Sequence, residues 1–160
     1  MIRVNLTNVY AAASQSISGG NGVWAAHSEN RGTNWDLYHT FESTKVGDVR
    51  GVDIAVVPDG TVYFFWLMTL GTTNQLRYAW LSTNNTWSLA TNIGPQLNCP
   101  GWNGSGNLLR SSVSNTNDYF VDNSFPHVVY ASGKLYVAYA DLPSTNSTTD
   151  RGDIFIIELQ

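Results

Sequence analysis

Trp102, Arg110, Asp118 and Tyr119 stand in one polar stretch, GPQLNCPGWNGSGNLLRSSVSNTNDYFVD. An indole can stack on the apolar face of a sugar ring, and a guanidinium can grip a carboxylate through parallel hydrogen bonds. The same residues can instead form a packed cover, with Arg110 paired to a nearby carboxylate. Both uses stay open at this stage. Arg50 and Asp53 in DVRGVDI, and Arg151 in TDRGDI, are further candidates for ligand contact. Each also has a simpler use as a local ion pair or turn stabiliser. Glycoside hydrolysis demands more, namely two carboxyl groups about 5–10 Å apart. The three glutamates, Glu29, Glu42 and Glu158, are scattered, and none stands beside an obvious tyrosine. No catalytic residue is therefore assigned. His27, His39 and His127 are equally dispersed and read as strand residues, so no metal set and no cofactor are expected. SGGNG at Ser18 has no helix pattern after it, so it is a loop and not a phosphate cradle.

Composition narrows what could position these groups. The chain has 160 residues, enough for one domain with a sizeable core. Hydrophobic residues make up 42% but charged residues only 12%, so Asn, Ser, Thr and Gly carry the polarity. Turn formers alternating with Val, Ile, Tyr, Phe and Trp point to many short strands. Eight Lys and Arg within a net charge of −4 leave no basic stripe for nucleic acid. No apolar run is long enough to span a membrane. The opening MIRVNLTNVY does not have the pattern of a secretion signal. Cys99, the single cysteine, can form no disulfide within the chain.

A repeat organises the rest. Val9-Tyr10 matches Val62-Tyr63 at an offset of 53, and Trp35 and Trp87 lie 52 apart. Leu135-Tyr136 matches Val62-Tyr63 at an offset of 73, the extra length lying in the polar insertion. Within the second repeat, GVDIAVV, TVYFFWLMT, QLRYAWLS and TWSLATNI read as four antiparallel strands. Repeated meanders of this length predict an all-β chain of β-propeller-like blades, just under three of them. One domain spans residues 1–160. Blade 1 covers about 1–45 and blade 2 about 48–94. The insertion takes about 95–122, and blade 3, lacking its outer strand, about 123–160.

HSENRGTNW then falls on the turn between the third and fourth strands of blade 1. Ser28 and Asn30 can bond turn backbone, Gly32 can take positive φ, and Trp35 can pack into the seam between blades. The stretch resembles the Asp box of sialidase-like propellers, Ser-x-Asp-x-Gly-x-Thr-Trp, with Asn30 for the Asp and Asn34 for the Thr. STNNTW, from Ser82 to Trp87, resembles a shortened box in register with it. The resemblance implies that Ser28, Asn30, Gly32 and Trp35 are structural, on the face opposite the ligand rim. It also implies three arginines, a Tyr–Glu pair and an Asp acid/base for sialidase activity. No Arg-Ile-Pro occurs; Arg3 is followed by Val4 and Asn5.

These readings lead to a non-catalytic binding module that holds a glycan through the rim opposite the box. The ligand set is Trp102, Arg110, Tyr119, Arg50, Asp53 and Arg151. The alternative is a fragment or half-site of a sialidase-like glycoside hydrolase, completed by further blades or a partner chain. A structural remnant without a ligand is the third. Bare terminal blades predict a homo-oligomer, with a dimer favoured, or a piece of a longer propeller. The resemblance implies an extracytoplasmic setting.

Overall fold

The structure, a computed structural model, describes residues 1–17, 20–35, 37–44, 48–70, 73–97, 126–141 and 153–159. Every regular element among them is a strand. The first sheet is a meander of β1 (Ile2–Asn5), β2 (Asn8–Ile17), β3 (Gly20–Ser28) and β4 (Leu37–Thr44). The second repeats it with β5 (Asp48–Val56), β6 (Val62–Leu70), β7 (Thr73–Leu81) and β8 (Thr91–Leu97). The third has β9 (His127–Ala131), β10 (Lys134–Asp141) and β11 (Asp153–Leu159). All pairings within the sheets are antiparallel.

The almost wholly apolar VYFFWLMTL of β6 follows from its place in the middle sheet, with a core on each face. Phe64 and Trp66 face the first sheet, where they meet Tyr10, Ala12, Val23 and Ala25. Phe65 and Leu67 face the third, where they meet Leu135, Val137 and Tyr139. Alternation along one strand thus serves two interfaces.

One strand differs from the sequence reading. The fourth strand of the second sheet begins at Thr91, not near Thr86, and Pro95 to Leu97 belong to it rather than to the insertion. Between β7 and β8 the ladder is interrupted. The Trp80 amide donates to Ser88 Oγ at 2.8 Å, and the Ser88 amide donates back to the Trp80 carbonyl at 2.9 Å. A serine side chain has taken a place that a strand carbonyl would fill, and an isolated Leu81–Trp87 bridge stands there in place of a continuous ladder. Gly94, at φ +67°, is where β8 meets β11, and a Cβ there would collide with Ile157 Cδ1.

Candidate functional site

The first strand of each sheet lies at one common axis, and the cleft between β1, β5 and β9 has a volume of about 490 Å³. Val4, Asn5, Ala55, Val57, Val129 and Tyr130 are among its lining residues. A backbone irregularity decides what it contains. Val49 packs toward the first sheet, so strict alternation would send residue 53 the same way. Arg50 pairs with Leu67 but Asp53 pairs with Phe65, so β5 carries one extra residue, with Gly51 at φ +62°. This bulge reverses the phase and turns Asp53 toward the third sheet.

Asp53 is buried, and its carboxylate ties the three first strands together. Oδ1 accepts from its neighbour Ile54 N at 2.8 Å and from Arg3 Nη2 on β1 at 3.2 Å. Oδ2 accepts from Val128 N on β9 at 3.0 Å, with His127 Nδ1 at 3.9 Å. Arg3 also donates from Nε to the Ile54 carbonyl at 3.0 Å. The Arg3 side chain is 44% exposed and that of His127 80%, so both present polar edges to solvent beside a buried anion. Arg3, Asp53 and His127 stand toward the end of the cleft away from the Ser28 turn. The arrangement can orient hydrogen-bonding groups of a ligand. With two donors on Oδ1 and one on Oδ2, Asp53 is placed to hold strands.

Arg3 was not among the candidate site residues, because it was judged by the residues that follow it. The fact that β1, β5 and β9 are equivalent strands of a repeat would have brought it to Asp53. His127 was read only as a strand residue. Arg50 lies half-buried on β5, opposite Leu67. Trp102, Arg110, Tyr119 and Arg151 lie outside the described residues, as do Asp118 and Asp150. Among the described residues, no group of three or more His, Cys, Asp or Glu could hold a metal.

On the opposite face the Ser28 turn is closed by its own side chains. Ser28 Oγ accepts from Gly32 N at 2.9 Å and donates to Asn30 Oδ1 at 3.0 Å, and Asn30 Oδ1 accepts from Asn34 N at 2.7 Å. Trp35 is half-buried and belongs to neither core. It is Trp87, from the equivalent turn of the second sheet, that reaches the seam between the first two sheets, beside Trp66. Beside these turns is a cavity of about 210 Å³, lined by Asn8, Tyr10, His27, Glu29, Ser82 and Asn85 among others. Burial, then the Glu29 carboxylate, raises the Tyr10 phenol above its ordinary value.

No family model matches this chain, and no curated protein matches it either. Among solved structures, the crystal structure of a thermostable family-43 glycoside hydrolase is similar, with a TM-score of 0.51 at 15% identity. The match covers 98% of this chain and 48% of the hydrolase, so the chain spans about half that protein's length. At this identity the likeness shows the fold. The chain is all-β, built of antiparallel meander sheets, and forms part of a β-propeller-like architecture.

Proposed function

We propose that this chain is a non-catalytic, carbohydrate-binding propeller segment, with the ligand held at the end of the axial cleft away from the Ser28 turn. The observation that carries the reading is the state of Asp53. It is a carboxylate at the axis, but its oxygens are taken up by Arg3 and two backbone amides. Among the described residues lining the cleft there is no carboxyl group, so they do not supply the pair that glycoside hydrolysis needs. Arg3 and His127, at that end, suit recognition instead: a guanidinium and an imidazole for hydroxyls. Carbohydrate as the ligand class is supported by the likeness to a glycoside hydrolase. Trp102, Arg110, Tyr119, Arg50 and Arg151 complete the proposed contact set. The hydrogen-bonded Ser28 turn supports sialidase-like kinship, with the box as a structural device.

A glycan array probed with the chain tests this. Binding that weakens at least tenfold in His127→Ala and in Trp102→Ala is the expected result. An array without binders leaves the structural-remnant reading in its place. The half-site reading is favoured by the coverage of 48% of the hydrolase. It requires turnover of nitrophenyl glycosides, and measurable hydrolysis by the chain would replace the non-catalytic proposal.

A further inference from the structure

Among the described residues, the outer faces of the first and third sheets carry exposed apolar side chains, and we propose that a second copy of this chain covers them. The outer face of the third sheet in each copy seats on the outer face of the first sheet in the other, closing a twofold ring through two identical seams. This inference does not depend on what the axial cleft binds.

Register identifies the faces. On the first sheet Ile2 lies opposite Ala11, Val4 opposite Val9, and Ala11 opposite Ala26. Opposed residues of an antiparallel pair share a side, so these point away from the second sheet. Ile2 and Val4 are 61% and 65% exposed. On the third sheet Val129 lies opposite Tyr136, and Ala138 opposite Ile156. Ile154 and Ile156 are 73% and 67% exposed. The Lys134–Glu158 ion pair and His127 share that side of the third sheet, so its apolar part is Val129, Ile154 and Ile156 with a polar border. Exposed apolar surface rimmed by polar residues marks an interaction site.

The internal repeat says what fits there. Tyr10 and Ala12 of the first sheet pack onto the second. Their equivalents one repeat later, Tyr63 and Phe65, pack onto the third. Tyr136 and Ala138 are the same two positions again, so the outer face of the third sheet repeats a surface that twice receives a following sheet. The receiving surfaces also correspond. Val62 and Phe64 face back to the first sheet, and Leu135 and Val137 face back to the second. Val9 and Ala11 are the matching positions of the first sheet, on its outer face. One chain thus carries both halves of one more seam, at opposite ends of the stack. A head-to-tail contact between unlike faces forms a ring when its rotation closes. Six sheets fall within the four to eight of closed propellers. In the ring the axial cleft gains three further strands from the partner.

Light scattering of the chain should report twice 17.6 kDa. Ile156→Lys and Ile2→Glu should each weaken association at least a hundredfold, with the circular dichroism of a β protein retained. Mixing the two variants should restore the dimer, because one seam is then unaltered and the other carries opposite charges. A monomer at micromolar concentration overturns the proposal and points to further sheets of a longer chain as the cover. A dimer insensitive to either substitution, or one not restored by mixing, overturns the head-to-tail arrangement.

Discussion

The turn at Ser28–Trp35 and the turn at Ser82–Trp87 have the same beginning and different ends. In both, a serine opens the turn and bonds the asparagine two residues on, Ser28 to Asn30 and Ser82 to Asn84. In both, its oxygen accepts a backbone amide four residues on, Gly32 at 2.9 Å and Thr86 at 3.1 Å. In both, φ turns positive, at Arg31 and Gly32 in one and at Asn85 in the other. The two turns even touch, Asn85 Nδ2 donating to Glu29 Oε1 at 3.2 Å. They differ in where the indole goes. The longer turn leaves Trp35 half-buried beside Gly32. The shorter one delivers Trp87 into the seam, stacked on His39 at 5.0 Å and edge-on to Phe41 at 5.4 Å. The longer turn closes on its own side chains, while the shorter one also supplies a contact between sheets.

Truncating the two indoles tests that difference most strongly. Trp87→Ala should cost about 3 kcal/mol, since it opens a void against His39, Phe41 and Phe64. Trp35→Ala should cost about 1 kcal/mol, as for a partly exposed side chain. Urea unfolding of both variants measures the gap, and equal losses would return Trp35 to the seam. The serines should reverse the order. Ser28 is fully buried, and Ser28→Ala strands the Gly32 amide, at a cost of about 2 kcal/mol. Ser82→Ala, on an exposed turn, should cost about 0.5 kcal/mol because water replaces the hydroxyl. A smaller contrast concerns the left-handed residues. Gly32→Ala meets no atom closer than 3.8 Å, so its cost of about 1 kcal/mol is purely that of φ +82°. Asn85→Gly should change stability by a few tenths of a kcal/mol, because asparagine already tolerates that conformation.

What could be read from sequence here was whatever depended on periodicity. The offsets of Val9-Tyr10, Val62-Tyr63 and Leu135-Tyr136 carried the meanders, and the unbroken apolar run of β6 told that its sheet is covered on both faces. The start of β8 could not be read, because Ser88 competes for the Trp80 backbone and nothing in the type of a serine announces that choice. Nor could the axial tie. Asp53 meets Arg3 and Val128 only because one extra residue at the Gly51 bulge reverses the phase of β5, and a bulge leaves no mark in hydrophobic pattern. Trp35 and Trp87 look interchangeable as letters; the number of residues in each turn separates them.

The seam that Trp87 fills should also respond to acid. His39 stacks on that indole, and burial lowers its imidazole below the ordinary value near 6.5. Folding therefore favours the neutral ring, and the unfolded chain binds the extra proton first as pH falls. The contribution is fully present above the unfolded value. It declines as pH drops below about 6.5 and is gone once pH has passed below the folded value. The Ser28 turn contains no titrating group of this kind within its hydrogen bonds, so its variants should keep the parent pH profile. Replacing the ring with an uncharged one, His39→Phe, should flatten the slope of unfolding free energy between pH 7 and pH 5 while keeping the stack on Trp87. A slope unchanged in His39→Phe would mean that the acid sensitivity lies elsewhere, and that the first two sheets are held together without regard to the charge on this ring.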